Sequence, residues 1–187
     1  MLASVRLAPT LEAAVADCSW VVGTSGRSGL RPPPLDPKAF ADAAWRPGRV
    51  ALVFGDERTG LGRDELARCQ ALTRIPSDTR QPSLNLAQAV CVYAYAISRR
   101  PERRVRAAPR PGTDADLRRL EGVLEDVHGT ARFVRPGRAG VAPLVDPWRR
   151  SGLTRAEIRL WESAIRMLAR SLSKLSHDRH LRVQQNS

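Results

Sequence analysis

Only three cysteines, Cys18, Cys69 and Cys91, occur in 187 residues, and no two of them form a CxxC pair. That spacing excludes a disulfide framework and a zinc ribbon, and leaves the three thiols to be read as small buried apolar residues. Histidine is equally sparse. His128, His177 and His180 make no metal-ligand spacing with carboxylates and read as surface residues, so no metal is expected. No run of about 18 uncharged apolar residues exists, and the opening stretch MLASVRLAPTLEAAVADC lacks the apolar segment of a secretory signal. The expectation is a cytoplasmic chain without membrane contact. Lysine is nearly absent too, since Lys38 and Lys174 are the only lysines among 31 cations.

What is present is enough apolar residue, 42%, to bury the core of one ordinary domain or of one domain with a small appendage. The net charge is +12, and it is unevenly placed. Residues 1 to 98 hold 11 basic and 9 acidic groups, whereas residues 99 to 187 hold 20 and 10. Arginine's planar fork suits bidentate phosphate recognition, although a GC-rich genome would produce the same preference over lysine. It would not produce the asymmetry between halves, which favours an anionic partner such as nucleic acid.

Along the chain, Thr10 is an N-cap for a short helix LEAAVAD, which leads into the apolar strand around Trp20, Val21 and Val22. Three prolines at 32 to 34 hold the following segment extended until Asp36 caps a helix with Pro37 at its first position. Strand VALVF at 50 to 54, loop GDERTGLG, helix RDELARC at 63 to 69 and strand ALTRIP at 71 to 76 follow in order. A helix over 83 to 98 then carries Leu86, Val90, Tyr93 and Ile97 at helical spacing. Strand, loop and helix repeated three times predict an α/β fold built on a parallel sheet.

Composition changes at residue 99, where RRPERRVRAAPRPG carries six arginines and no apolar periodicity. The expected organisation is an α/β domain over 1–98, a solvated linker over 99–112 and a helical basic extension over 113–187. In the extension Leu117, Leu120, Leu124 and Val127 share one helix face after the cap Thr113. A second helix opens on the capping box TRAE at 154 to 157 and aligns Ile158, Trp161, Ile165, Leu168, Leu172 and Leu175. Residues 129 to 150, rich in Gly, Pro and Arg, read as irregular.

In open parallel sheets ligands bind beyond the carboxyl ends of the strands. The loops there are GTSGR at 23 to 27, GDERTGLG at 55 to 62 and PSDTRQPSLN at 76 to 85. None is GxGxxG or GxxxxGK[ST], which removes the dinucleotide and P-loop assignments. Taken together, VVGTSGR, ALVFGDERTGLGRDELARC and IPSDTRQPSLNLAQAVCVYAY closely resemble the SPOUT superfamily of RNA methyltransferases, of SpoU/TrmH type, and within it the TrmJ-like branch. The resemblance covers roughly residues 10 to 98 and, more loosely, the helical extension.

That resemblance implies a SPOUT-type C-terminal trefoil knot holding S-adenosyl-L-methionine, ribose 2′-O-methylation of tRNA, and a homodimer built on the helix after SLN. Carried onto matching positions, the cofactor contacts are Thr24, Ser25, Gly26, Gly55, Ile75, Ser83, Leu84 and Asn85. Glu57 braces the second loop or pairs with Arg58 or Arg63, and Asn85 caps its helix or orients substrate. Family catalysis relies largely on an arginine in a motif before the strand read here as WVVGT, and that motif has no counterpart in these residues. The candidates for catalysis are then Asn85 and Arg27. For RNA contact they are Arg27, Arg99, Arg100, Arg103, Arg104 and Arg106. The alternative is a catalytically weak or silent AdoMet- and RNA-binding module on the same knot.

Overall fold

The Thr10 hydroxyl accepts from the Ala13 N–H at 3.2 Å and opens α1 (Leu11–Val15), which delivers the chain into β1 (Cys18–Thr24). The computed structural model describes residues 5–27, 33–77, 84–99, 109–131 and 140–185. The chain divides into two compact units, Met1–Asp114 and Ala115–Ser187, each with its own core.

In the first unit β2 (Arg49–Val53), β1 and β3 (Ala71–Thr73) form a parallel sheet in the order β2-β1-β3, with Val22 paired to Leu52 on one side and to Ala71 on the other. The central strand CSWVVGT is apolar almost throughout because both of its faces are covered. One face meets α2 (Pro37–Ala43) and α4 (Leu86–Ser98), where Trp20 stacks on Phe40 at 6.0 Å and Phe40 meets Tyr93 edge-on at 5.7 Å. Val15, Cys18 and Val21 fill the other face, packed against Leu11 and Cys69. Asp36 and Pro37 start α2 as expected, the carboxylate accepting from the Ala39 N–H at 2.7 Å. A short α3 (Arg63–Arg68) links β2 to β3.

Strand β3 is shorter than the six-residue stretch read from the sequence. Its partner β1 ends at Thr24, and the last bond on that edge runs from the Ser25 N–H to the Thr73 carbonyl, 3.0 Å. On its other edge Leu35 pairs with it: the Leu35 N–H donates to Leu72 O and the Arg74 N–H to Leu35 O, both 2.8 Å. Buried Gln70 extends the β1–β3 pairing backwards, its N–H donating to Val21 O at 2.9 Å and its side-chain oxygen accepting from the Val21 N–H.

The second unit packs α5 (Asp114–Ala131), α6 (Ala142–Ser151) and α7 (Arg155–Gln185) around Leu117, Leu120, Leu124, Val141, Val145 and Ile158. The TRAE capping box forms, with the Thr154 N–H donating to Glu157 Oε2 at 2.7 Å and the Glu157 N–H to Thr154 Oγ1 at 3.3 Å. The Thr154 N–H and the Thr154 hydroxyl, which also donates to Glu157 Oε2 at 2.7 Å, hold the Glu157 carboxyl below its usual range. Asp116, buried, accepts from Arg119 and Arg155, one on each oxygen, at 2.9 Å.

Two expectations are corrected. Within the stretch 129–150 read as irregular, residues 129–131 end α5 and residues 142–150 lie in α6: Pro143 falls in the first turn, where its missing N–H costs nothing, and Val141, Val145 and Trp148 fall on one face. Left-handed Gly152 ends that helix. Of the three thiols only Cys18 is buried. Cys69 is half-buried and Cys91 is exposed on α4. Among the described residues no helix is long and apolar enough to cross a membrane.

Candidate functional site

The carboxyl ends of β1, β2 and β3 open into one cleft of about 330 Å³ in the first unit. The first loop contributes Thr24, Ser25, Gly26 and Arg27. The second contributes residues 54 to 61, and the third Arg74, Ile75, Ser77 and Leu84, with Leu86, Ala89 and Tyr93 closing it from α4. Six of the cofactor candidates, Thr24, Ser25, Gly26, Gly55, Ile75 and Leu84, therefore line a single cavity. Ser83 lies outside the described residues. Asn85 is not part of the lining; its side chain accepts from the Gln88 N–H at 2.8 Å and caps α4.

The first two loops are held by specific bonds. Thr24 fixes the first loop to the second strand, its hydroxyl donating to Val53 O at 3.1 Å. Arg27 links the first loop to the second, its backbone N–H donating to Ser25 Oγ at 3.2 Å and its guanidinium to Leu61 O at 3.4 Å. In the second loop the brace is Asp56. One of its carboxylate oxygens accepts from the Arg58 N–H, the Thr59 N–H and the Thr59 hydroxyl, at 2.9, 3.1 and 3.3 Å. The two backbone donors hold the Asp56 carboxyl below its usual range. Glu57, the residue expected to brace this loop, forms no ion pair with Arg58 or Arg63 among the described residues and lines the cleft mouth.

The second loop also explains two of its glycines. Asp56 and Gly60 form an antiparallel bridge, so the loop folds back onto residue 55. A Cβ on Gly55 would stand 2.2 Å from the backbone carbon of Gly60 and from the backbone nitrogen of Leu61. At Gly60 the space is open but φ is +68°, a conformation that favours glycine. Leu61, buried, anchors the far end.

The cleft wall is apolar at Phe54, Ile75, Leu84 and Leu86, and its floor holds two hydroxyls, Thr73 and Tyr93, 3.1 Å apart. Neither residue was singled out as a site residue. Thr73 sits in an apolar strand and Tyr93 in an apolar helix face, so hydrophobic periodicity reads both as core. The thiols nearest the sheet are poor nucleophiles: burial raises the Cys18 pKa to about 11 and that of Cys69 to about 12. Among the described residues no three of His, Cys, Asp and Glu converge to hold a metal ion. Of the arginines proposed for RNA, Arg27 is at the cleft and Arg99 is the exposed C-cap of α4, while Arg100, Arg103, Arg104 and Arg106 lie outside the described residues.

Comparison with known proteins gives a consistent result. Residues 3–95 match the SpoU rRNA Methylase family. A protein of Cronobacter sakazakii named tRNA (cytidine/uridine-2'-O-)-methyltransferase TrmJ is 39% identical over 155 residues, 75% of this chain and 62% of that protein. A Yersinia pestis protein of the same name is 37% identical over 153 residues, covering 75% and 59%. The chain thus spans about three-fifths of the length of these curated relatives. The crystal structure of TrmJ from Z. mobilis ZM4 superposes with a TM-score of 0.75 at 29% identity, over 89% of this chain and 75% of that one. With a parallel α/β sheet, three strand-end loops meeting in one cleft, and these matches, the chain belongs to the SpoU rRNA methylase family.

Proposed function

We propose that this chain is an S-adenosylmethionine-dependent RNA methyltransferase that methylates ribose 2′-hydroxyls of tRNA. The observation that carries the reading is the convergence of the three family loops on one cleft, in a chain 37–39% identical to proteins named for that reaction. The cleft fits the cofactor: about 330 Å³ is in the range of small-molecule sites, and apolar Phe54, Ile75 and Leu84 stand beside backbone donors and acceptors, as an adenosyl group needs. Thr24, Ser25, Gly26, Gly55, Ile75 and Leu84 would hold it; Ser83 and Asn85 join them by the family pattern alone, Asn85 standing at the cap of α4 and not in the lining.

When bound, the cofactor would supply a sulfonium methyl group for the ribose oxygen, with S-adenosylhomocysteine as the leaving group and the hydroxyl proton passing to solvent. The chain's part is to orient the hydroxyl and exclude water. Arg27, tied to both the first and second loops, stands at the cleft, which Arg58 and Arg74 also line, as a cation able to steady a phosphate or a developing alkoxide. Arg99, exposed at the end of α4, and Arg100, Arg103, Arg104 and Arg106, which follow it in the sequence, are the further cations proposed for RNA contact.

The flanking of β3 by Ser25 on one edge and Leu35 on the other supports the trefoil knot that the family resemblance implies. Exposed Leu86, Val90 and Tyr95 on α4 support a homodimer. The compartment proposed for it is the cytoplasm.

The test is calorimetric titration with S-adenosylmethionine and S-adenosylhomocysteine, followed by transfer of a labelled methyl group to tRNA and mapping by resistance of the 2′-O-methylated linkage to alkali. Binding at one site per chain and label at a ribose are expected. Arg27→Ala should lower the transfer rate by roughly 10² or more and leave cofactor affinity close to wild type. Label on a base, or no heat with either ligand from the folded chain, would overturn the reading.

A further inference from the structure

Thr73 is fully buried at the end of β3, and three segments of the first unit meet on it. Its backbone carbonyl accepts from the Ser25 N–H at the start of the first loop, 3.0 Å. Its hydroxyl lies 2.8 Å from the Leu35 carbonyl and 3.1 Å from the phenol of Tyr93 on α4. A threonine hydroxyl has one proton, and a carbonyl oxygen can only accept. The Thr73 proton therefore goes to Leu35 O, and Tyr93 must donate to Thr73. The direction of the relay is fixed as Tyr93 O–H to Thr73 O–H to Leu35 C=O.

Tyr93 is well suited to remain a donor. It is 2% exposed, and burial raises its pKa, so the phenol keeps its proton at any physiological pH. Its ring is wedged edge-on against Phe40 at 5.7 Å and Phe54 at 5.8 Å, so the position of the hydroxyl does not depend on the hydrogen bond alone. Both Thr73 and Tyr93 line the cleft, as do Ser25 and Phe54. The relay thus ties the Leu35 segment to Thr73 at a point where α4, the end of β3 and the first loop all border the cavity.

We propose that Tyr93, acting through Thr73, is a positioning residue for the cleft: the relay holds the first loop and the third strand end at the spacing that the ligand requires. This rests on the reading of the cleft as a cofactor site. The alternative is that the pair only fastens α4 to the sheet, in which case its loss would lower stability and leave ligand affinity unchanged.

Tyr93→Phe keeps the ring and its aromatic contacts and removes only the donor. Binding of S-adenosylhomocysteine, measured by calorimetry at a temperature where melting curves show both proteins folded, should weaken roughly threefold to tenfold, the range for one hydrogen bond. Thr73→Val, which removes both bonds of the hydroxyl, should weaken it further, and adding Tyr93→Phe to Thr73→Val should change affinity little, because the two act as a unit.

A spectroscopic readout is independent of affinity. The chain has two tyrosines, Tyr93 and Tyr95, so 3-fluorotyrosine labelling gives two 19F resonances, assigned with Tyr95→Phe. Saturation with S-adenosylhomocysteine should shift the Tyr93 resonance in wild type, and Thr73→Val should shift it before any ligand is added. Equal affinities in wild type and Tyr93→Phe, or a Tyr93 resonance unmoved by saturating ligand, would overturn the proposal and leave the cofactor reading standing. No binding to wild type would defeat the cofactor reading and the relay together.

Discussion

Gly55→Ala tests the construction of the cleft with the smallest possible perturbation. The added methyl carbon would lie 2.2 Å from the Gly60 carbonyl carbon and from the Leu61 nitrogen, and 2.6 Å from the Gly60 oxygen. Non-bonded carbons rest at roughly 3.5 Å or more, so the contact is short by about 1.3 Å. The atoms in the way are backbone, pinned by the Asp56–Gly60 bridge and by the buried Leu61, and cannot rotate aside as a side chain would. Overpacking of this kind costs on the order of 2 kcal/mol, and if the loop must open by that amount, cofactor affinity falls about 30-fold. The damage should be local, because the loop packs on the sheet edge and not in the core between β1, α2 and α4. Thermal unfolding should move by only a few degrees while calorimetry records the loss of binding. Gly60→Ala is the control: its Cβ meets nothing within 4 Å, so its cost comes from φ alone, roughly 1–2 kcal/mol, and Gly60→Asn should recover much of it. Wild-type cofactor affinity in Gly55→Ala, with the loop bridge intact by NMR, would refute the steric argument.

The same loop carries a pH dependence. The Asp56 carboxyl titrates below its unfolded value, so its contribution is present above the unfolded carboxylate pKa and is lost as pH falls through the native one. Protection factors of the Arg58 and Thr59 amides, that is exchange relative to the intrinsic rate at each pH, should therefore fall only in acid, Asp56→Ala should show the lowered protection at neutral pH, and unchanged neutral protection in that variant would count against the brace. In the helical unit, Arg149 and Glu121 pair with their side chains only 7% and 18% exposed, so Glu121→Ala should cost about 3 kcal/mol in urea unfolding, and Arg149→Met with Glu121→Leu should recover most of it; a double variant no more stable than the single one would show that the pair does not act as a buried ion pair.

The sheet was legible because each strand is punctuated by residues with one physical meaning. Thr10 and Asp36 are oxygen caps, Pro37 suits a first turn, and the glycines at 23 and 48 interrupt apolar runs. Helix α6 was not, because Pro143, Pro147 and the surrounding arginines outweigh, in any window average, a spacing of four and three between Val141, Val145 and Trp148. That spacing was the available signal. It succeeds because one proline sits at the helix start and the other leaves unmatched only the carbonyl of Pro143, itself in the first turn. Cys91 misled in a different way: α4 buries Tyr93 but leaves Val90 43% and Tyr95 67% exposed, so an apolar neighbourhood in sequence did not mean burial within the unit.

At the cleft, motif order found the loops and physical chemistry assigned their parts. Asp56 could have been chosen over Glu57 from sequence, since the shorter carboxylate reaches the backbone N–H groups two and three residues on, where a glutamate's extra methylene overshoots. Gly55 could not have been understood that way, because the atoms that forbid a side chain there belong to residues 60 and 61 and arrive only when the loop closes. Thr73 and Tyr93 are 20 residues apart and carry no motif; their meaning depends on a single proton that must go to Leu35. Hydrophobic patterning registers such residues as core because they are buried, and it is blind to which of two hydroxyls donates. That choice exists only once β3, the Leu35 segment and α4 have been brought together, and it turns a buried pair into a device that the cleft can use.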